Sequence, residues 1–234
     1  MPCTIKESFA LAGTPQTSGV VARIGLRSTE NATTVDRLLE AGAIPLGKTN
    51  VSELCMWMEG NNRVYGRTNN PYDPRRIVGG SSSGEGAIVG AGGSPFGLGS
   101  DIGGSIRMPA FFNGVFGHKP SSGLVPSTGQ WPIAENDALT FLSTGPIARR
   151  AEECVHVIHE IRQVHRVGIG SHQLRNRRSG VVHGIGHHLW RGKAERLKVR
   201  RKHLRQVVRV GVHRIPHHDD VARTDPRGER RHAH

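Results

Sequence analysis

Residues 79–109 constrain the fold more strongly than any other part of the chain, and they read GGSSSGEGAIVGAGGSPFGLGSDIGGSIRMP. A flexible linker of glycine and serine would be polar and featureless. Here glycines and serines alternate with apolar residues, which are Ile88, Val89, Phe96, Leu98 and Ile102. Glycine allows sharp turns and close backbone approach. The segment is therefore predicted to be an ordered active-site region and not a linker.

The chain before this segment alternates between helical and strand patterns. Residues 33–41 place apolar side chains at helical spacing, with a threonine as N-cap and Gly42 as the stop. The apolar run 43–49 then suits a buried strand. Residues 51–58 are predicted to begin a second helix, for which Ser52 is a plausible cap.

The same alternation continues inside the Gly/Ser segment. Residues 85–92, EGAIVGAG, are predicted to be helical, and residues 94–101, SPFGLGSD, are predicted to be extended. Glycine inside a helix costs up to about 1 kcal/mol, so close packing against a neighbour should compensate here. Alternation of this kind predicts an α/β fold in which helices cover a mixed β-sheet core.

Positive charge is concentrated in the last third of the chain. Residues 1–150 carry 13 Lys or Arg and 11 Asp or Glu, whereas residues 151–234 carry 19 and 8, a formal charge of +11. Thirteen of the 14 histidines also lie beyond residue 150. From about residue 155 neither helical nor strand periodicity is sustained, although residues 199–210 could form a basic helix. We therefore predict an ordered part, 1–155, followed by a basic tail, 156–234, that is largely irregular.

Cysteine usage and hydropathy bear on the compartment. Cys3, Cys55 and Cys154 are far apart and odd in number, so they predict neither a disulfide framework nor a redox pair. An intracellular, reducing compartment is the expectation that follows. No apolar run approaches the roughly 20 residues needed to span a bilayer, and residues 1–10 lack a signal-peptide pattern. Membrane contact is therefore not predicted from this chain itself.

Residues 42–49, GAIPLGKT, match the phosphate-binding pattern G-x-x-x-x-G-K-T letter for letter. A phosphate loop needs a strand before it, small flexible residues within it and a helix directly after it. Here a helical pattern precedes the glycine, and the interior contains Pro45, which has no N–H. The match is interpreted as an ordinary strand segment.

Histidines in the last third raise the question of a metal site. The candidates are His156 with His159, the pair His187 and His188, and the HHDD run at 217–220. No second ligand cluster with a defined scaffold accompanies them. They are interpreted as incidental residues of a basic tail, and no metal site is predicted.

The Gly/Ser segment resembles the signature block of the amidase signature family of serine hydrolases along its whole length. Further segments resemble the same family, and these are NNPYDP, RMPAFFNGVFGHKPSSGLVPSTGQWP and TGPIARRAEEC. The ELCMWME and HKP stretches are similar to the fatty-acid amide hydrolase branch. The resemblance covers about residues 3–155 and implies a partial amidase-signature fold, whereas residues 156–234 match none of the family's second half.

The resemblance implies a Ser-Ser-Lys triad. Ser105, in DIGGSIR, matches the nucleophile, and Ser81, in GGSSSGEG, matches the bridging serine, which follows a cis peptide bond. Lys6 matches the general base, which must be neutral to accept a proton. Because only five residues precede Lys6, the strand that holds it is expected to be short and frayed.

The remaining site residues also come from the resemblance. The N–H groups of Ile102, Gly103 and Gly104, with that of Ser105, are expected to converge as an oxyanion hole. Supporting roles are expected for three further residues, Ser82, Asp101 and Arg107. Ser83 stands where many members have glycine, and Glu85 is expected to begin a helix, where a carboxylate suits the helix dipole.

The function that this resemblance implies is hydrolysis of a small-molecule carboxylic amide, of a fatty acid in the closer branch, through an acyl-enzyme. No metal or organic cofactor is implied. A catalytically inactive fragment remains an alternative. So does non-specific binding of an anionic polymer by the +11 tail, which lacks the aromatic platform or recognition helix of a specific nucleic-acid partner. Membrane association would rest on the resemblance alone, and the oligomeric state is left open.

Overall fold

A computed structural model of the protein describes residues 1–162 and 212–214. Its centre is a six-stranded mixed sheet with the order β6-β7-β5-β1-β2-β8. The strands of this sheet are β1 (Pro2–Lys6), β2 (Ile44–Thr49), β5 (Phe96–Asp101), β6 (Phe116–Gly117), β7 (Ser143–Ala148) and β8 (Val212–Arg214). A separate hairpin pairs β3 (Asn61–Asn62) with β4 (Gly66–Arg67).

Five α-helices accompany the sheet in the described residues. They are α1 (Thr33–Glu40), α2 (Ser83–Gly90), α3 (Arg107–Phe112), α4 (Asp137–Phe141) and α5 (Ala151–Ile161). The predicted α/β fold with a mixed sheet and covering helices is confirmed. None of these helices is long and apolar enough to cross a lipid bilayer.

Strand β1 lies in the middle of the sheet. It pairs in parallel with β2 on one side, where Lys6 is opposite Thr49, and with β5 on the other, where Thr4 is opposite Gly97. All residues of β1 after Pro2 are buried. The expectation of a frayed strand at Lys6 was wrong, because hydrogen bonding on both edges and burial on both faces stabilise a strand that is only five residues long.

The two faces of the sheet are covered differently. Along β5, the side chain of Leu98 joins the core beneath α1 and α5, whereas Gly97 and Gly99 face α2, because successive residues of a strand point to opposite faces. The two glycines leave room for α2 to approach closely. A Cβ at Gly99 would lie 2.9 Å from Ser82 Oγ.

Glycines within α2 also pack closely, as predicted. A Cβ at Gly84 would lie 2.6 Å from the backbone nitrogen of Asn50, and a Cβ at Gly86 would lie 2.8 Å from the Cβ of Pro109. The side chains of Ile88 and Val89 join a second apolar cluster with residues of α3 and β7. Helix α2 is therefore closely packed between the sheet and α3.

The helix predicted for residues 51–58 is absent from the structure. Only Glu53–Cys55 makes a single 3-10 turn, and Leu54 has φ +55° within it. The Ser52 hydroxyl instead donates to the carbonyls of Trp57 and Glu59. The apolar run reads as a helix by its spacing, but its side chains from Met56 to Met58 are exposed and pack on no core.

The predicted boundary at residue 155 lies inside a helix. Helix α5 runs to Ile161 and buries Val157 and Ile161 against α1, and the Arg37 guanidinium donates to the Ile161 carbonyl at 2.8 Å. Within the predicted irregular tail, Val212–Arg214 pairs antiparallel with β2. The predicted helix at 199–210 lies outside the described residues.

Residues Ile44–Thr49 of the GAIPLGKT segment form strand β2. This confirms the interpretation of the segment as an ordinary strand. The buried Lys48 ammonium donates to the Pro15 carbonyl at 2.5 Å. A strand that pairs with a neighbour on each side, as β2 does with β1 and β8, uses its N–H groups for the sheet and presents no loop that could surround a phosphate.

Candidate active site

Lys6 and Ser81 meet at the carboxyl end of β1. The peptide bond between Gly80 and Ser81 is cis, and Ser81 lies directly before helix α2. The Lys6 Nζ donates to Ser81 Oγ at 2.8 Å. Both side chains are buried, at 0% and 1% exposure. Lys6 and Ser81 are 75 residues apart in the sequence, and the sheet and the turn that precedes α2 bring them together.

The pKa of Lys6 is lowered from its ordinary value of 10.5. Burial is the main cause, because removal from water disfavours the charged amine. Cys55, Asp101 and Glu85 act in the opposite direction and favour the ammonium form. The net direction favours a neutral amine, which is the form that can accept a proton from a hydroxyl.

A second hydroxyl at this amine was not predicted from the sequence. The Lys6 Nζ also donates to Ser100 Oγ at 3.0 Å, and Ser100 is buried on β5. Ser100 is one residue before Asp101 in a strand pattern that looks like core. Ser100 lies beside Lys6 because β5 pairs in parallel with β1. The sequence alone does not reveal this pairing.

The turn that carries Ser105 is organised by Asp101. The Asp101 carboxylate accepts hydrogen bonds from the backbone N–H groups of Gly104, Ile106 and Arg107 at 2.8 Å, 3.0 Å and 3.2 Å. The Arg107 guanidinium donates to both Asp101 oxygens at 3.0 Å, which is the expected ion pair. Five hydrogen bonds on one buried carboxylate hold the 101–107 turn in a single shape.

These contacts lower the pKa of Asp101 to about 2. Burial acts to raise the pKa of this carboxyl, but the hydrogen bonds from Arg107 and from the backbone outweigh it. The sequence did not predict that Lys119 also contacts Asp101. The Lys119 ammonium donates to the Asp101 carbonyl at 2.6 Å and lies 3.7 Å from its carboxylate.

The expected oxyanion-hole residues lie on this turn, with one difference from the prediction. Ile102 and Gly103 are exposed, and Gly104 has φ +127°, which favours glycine. The N–H of Gly104, however, donates to the Asp101 carboxylate and so points into the turn. Because an acidic side chain caps this N–H, the structure does not direct all four expected N–H groups to one point.

Ser82 joins the two halves of the site. Its backbone N–H donates to the Ser105 carbonyl at 3.2 Å, and its hydroxyl donates to the Ser100 carbonyl at 3.4 Å. The residue after Ser81 is therefore bonded directly to the residue that matches the nucleophile. Ser105 itself is half-buried at the surface of this turn. The three residues that match the family's triad are thus carried by the β1 strand, the cis turn and the 101–107 turn, which lie in one region of the structure.

Ser83 and Glu85 are both buried in the first turn of α2. The Ser83 hydroxyl is buried and donates to the Asn50 carbonyl at 3.0 Å. Glu85 lies in the first turn of α2, as expected, but its side chain is fully buried. Helix dipole stabilisation is therefore not the whole explanation for this carboxylate.

The described residues contain no cluster of three or more His, Cys, Asp or Glu side chains that could hold a metal ion. His156 and His159 lie exposed on α5. The remaining candidate residues, His187, His188 and the HHDD run, lie outside the described residues.

Comparison with protein families finds that the Amidase family matches residues 1–217. Among curated proteins, fatty-acid amide hydrolase 2-A of Danio rerio is 58% identical over 158 residues, which are 68% of this chain and 30% of that protein. Fatty-acid amide hydrolase 2 of Homo sapiens is 58% identical over 153 residues, 65% of this chain and 29% of that protein. The chain thus spans about 30% of the length of these relatives.

Solved structures with the same fold include two proteins described as amidases. The peptide amidase from Stenotrophomonas maltophilia is 34% identical with a TM-score of 0.66, over 70% of this chain and 34% of that one. An amidase family protein from Bacillus anthracis is 31% identical with a TM-score of 0.65, over 70% of this chain and 33% of that one.

Proposed function

Because this chain belongs to the amidase family, we propose that it is an amide hydrolase that acts through Ser105, Ser81 and Lys6. The observation that carries the proposal is the 2.8 Å contact between Lys6 Nζ and Ser81 Oγ inside a buried site. A buried lysine with a lowered pKa beside a hydroxyl is the arrangement of a general base and its proton relay.

The proposed reaction has two half-steps. Ser105 Oγ attacks the amide carbonyl carbon, its proton passes to Ser81 Oγ, and the Ser81 proton passes to the neutral Lys6 amine. The lysine proton returns by the same route to the leaving nitrogen as the C–N bond breaks, so the amine departs and an acyl-Ser105 ester remains. Water then attacks the ester carbonyl while its proton passes through Ser81 Oγ to the Lys6 amine. The lysine proton returns through Ser81 to Ser105 Oγ as the C–O bond breaks, so the carboxylic acid leaves and the Ser105 hydroxyl is restored.

The 101–107 turn supports the charge that develops on the carbonyl oxygen. Ile102 and Gly103 lie at its exposed edge next to Ser105, where backbone N–H groups can meet a substrate. A single preorganised donor of this kind is typically worth about 3 kcal/mol of activation free energy. The two hydrogen bonds between Arg107 and Asp101 keep the turn rigid. The backbone donors are therefore already in position when the reaction begins.

We propose a fatty-acid amide as the substrate class. The support is the 58% identity to two proteins named fatty-acid amide hydrolase 2, together with an exposed apolar surface beside the cis turn. This surface consists of Met56, Trp57 and Met58, which are 78%, 63% and 50% exposed. It adjoins the site, because a Cβ at Gly80 would lie 2.6 Å from the Trp57 carbonyl oxygen.

The test is labelling of the full chain with a fluorophosphonate probe, which reacts only with an activated serine. We expect stoichiometric labelling of Ser105 in the folded protein and none in Ser105→Ala. A matched control, Ser121→Ala, removes an exposed serine hydroxyl outside the site and should label like the unmodified chain. Failure of folded, soluble protein to label would refute the enzymatic proposal and leave the inactive fragment as the explanation.

The substrate class is tested separately. Hydrolysis of a long-chain acyl amide and of an acetyl amide with the same amine would be compared by release of that amine. A fatty-acid amide hydrolase should have a kcat/KM at least about 10-fold higher for the long chain, because each buried methylene contributes up to about 0.8 kcal/mol. Equal values for the two amides would contradict the lipid assignment without affecting the amidase assignment.

A further inference from the structure

Glu85 is a carboxylate that the proposed reaction does not use, although it lies at the centre of the active-site scaffold. Its side chain has 0% exposure and lies in the first turn of α2. Its Oε1 accepts a hydrogen bond from Thr49 Oγ1 at 2.7 Å, and its Oε2 accepts one from Thr4 Oγ1. Both oxygens therefore accept from hydroxyl groups of the sheet, one on β1, which carries Lys6, and one on the adjacent strand β2.

The positions of the two threonines relate Glu85 directly to Lys6. Thr4 precedes Lys6 by two residues on β1, so the two side chains share the face of the sheet that α2 covers. Thr49 is the residue of β2 that pairs with Lys6. One carboxylate thus joins the first turn of α2 to both strands that hold the lysine backbone in place.

The third central strand is shaped to admit this carboxylate. Gly97 of β5 pairs with Thr4, and a Cβ at Gly97 would collide with the Glu85 carboxylate and lie 2.8 Å from Thr4 Oγ1. The absence of a side chain at this position is what allows Glu85 to reach the sheet. The contact is therefore a specific fit between α2 and the three strands β2, β1 and β5.

From this geometry, and resting on the proposed function, we propose that Glu85 is a positioning residue that sets the contact between Lys6 and Ser81 through Thr4 and Thr49. Ser81 lies four residues before Glu85, and only the start of α2 separates them. A shift of that helix start relative to β1 moves the Ser81 hydroxyl relative to the Lys6 amine. Misplacement of catalytic groups by about 1 Å can cost about 100-fold in rate.

The charge of the Glu85 carboxylate also acts on Lys6, which supports the same positioning role. Burial raises the pKa of Glu85 to about 7, while the hydrogen bonds from Thr4 and Thr49 and the charge of Lys6 oppose this rise. The titratable groups that act on the pair are Cys3 on β1, Cys55 in the 3-10 turn and Asp101 at the end of β5. Because the Glu85 carboxylate favours the charged form of Lys6, removal of that charge should lower the pKa of Lys6 further.

The first test is Glu85→Gln in the full chain, with Lys6 observed directly. Lysine labelled with 13C at Cε gives an NMR shift that follows protonation and requires no activity. We expect the Lys6 titration midpoint to move to lower pH, because the charge that favours the ammonium form is removed. The rising limb of probe labelling against pH should move with it, and the limiting labelling rate should fall by about 10-fold.

Glu160→Gln is the control for the titration, because it removes an exposed carboxylate on α5, outside the site. It should leave the Lys6 midpoint in place. A Lys6 midpoint in folded Glu85→Gln that equals that of the unmodified chain overturns the inference. If the unmodified chain is not labelled at Ser105, the proposed function fails, while the NMR midpoint still decides the role of Glu85.

A second test does not depend on whether Glu85→Gln folds, because it leaves Glu85 in place. Thr49→Val removes the hydroxyl that donates to Glu85 and keeps the β-branched shape, whereas Thr49→Ser keeps the hydroxyl. We expect the labelling rate of Thr49→Val to fall by about 10-fold and that of Thr49→Ser to recover most of the loss. Equal rates for Thr49→Val and the unmodified chain would contradict the positioning role.

Discussion

The Arg107 guanidinium donates two hydrogen bonds of 3.0 Å to the Asp101 carboxylate, and this pair closes the turn in which Ser105 lies. Asp101 is fully buried, whereas the Arg107 side chain is 49% exposed. The same carboxylate also accepts three backbone N–H groups of the turn. The ion pair therefore acts less as a surface salt bridge than as the anchor of the loop that presents the candidate nucleophile.

Asp101→Asn should destabilise the protein and inactivate the site together. The asparagine amide cannot accept at both positions, so buried N–H groups of the turn lose partners and the Arg107 charge loses its counterion. We expect a loss of about 2 to 4 kcal/mol in the free energy of unfolding, measured by urea denaturation. Asp73→Asn is the control, since Asp73 pairs with the exposed Arg75, and its effect should be much smaller. Equal effects of the two substitutions would contradict the anchoring role of Asp101.

Lys6→Met should abolish serine labelling while the fold persists. Methionine fills the buried volume without an amine, so the relay through Ser81 loses its base. The labelling rate of Ser105 should fall by about 100-fold or more. Lys48→Met provides the matched control, because Lys48 is also buried, lies on the adjacent strand and donates to the Pro15 carbonyl. Its labelling rate should stay within about threefold, and loss of labelling in both variants would indicate a general effect of removing a buried lysine.

Gly97→Ala should destabilise the protein more than Gly103→Ala, which adds a methyl group to the same signature segment. The new Cβ would collide with the Glu85 carboxylate and force α2 away from the sheet. A loss of about 1 to 3 kcal/mol is expected from thermal or urea unfolding. Gly103→Ala is the stability control, since no atom of residues 1–162 lies within 4 Å of its added Cβ. Its change should remain within about 0.5 kcal/mol, and a similar loss for both variants would argue against the close fit at Gly97.

The stability of the protein should depend on Glu85 between pH 4.5 and 7. The pKa of this carboxyl rises from 4.5 to about 7 on folding, chiefly by burial. A raised pKa means that the folded state binds the proton more tightly than the unfolded state. The contribution of Glu85 is therefore fully present below pH 4.5 and is lost as the pH rises to about 7.

The measurement is the difference in the free energy of unfolding between the unmodified chain and Glu85→Gln at several pH values. Between pH 4.5 and 8 the unmodified chain should lose on the order of 3 kcal/mol relative to the variant. A difference that does not change with pH would show that Glu85 titrates alike in the folded and unfolded states.

Local patterns in the sequence predicted those elements whose residues interact mainly with their neighbours along the chain. Helix α1 and strand β2 follow from apolar periodicity and from Gly42, and the glycines of α2 predicted its close packing. The helix predicted for residues 51–58 failed because most of its apolar side chains are exposed and only Val51 is buried in the core, and spacing alone cannot reveal that.

The order of residues in the signature segments was enough to indicate the family of the chain, to select Ser105, Ser81 and Lys6 as a set, and to pair Asp101 with Arg107. The folded arrangement was needed to bring Ser100 to the Lys6 amine and Glu85 between Thr4 and Thr49. These contacts depend on the parallel register of β2, β1 and β5. Register is set by packing of the whole sheet against its helices, so residues far apart in sequence become neighbours that no local pattern records.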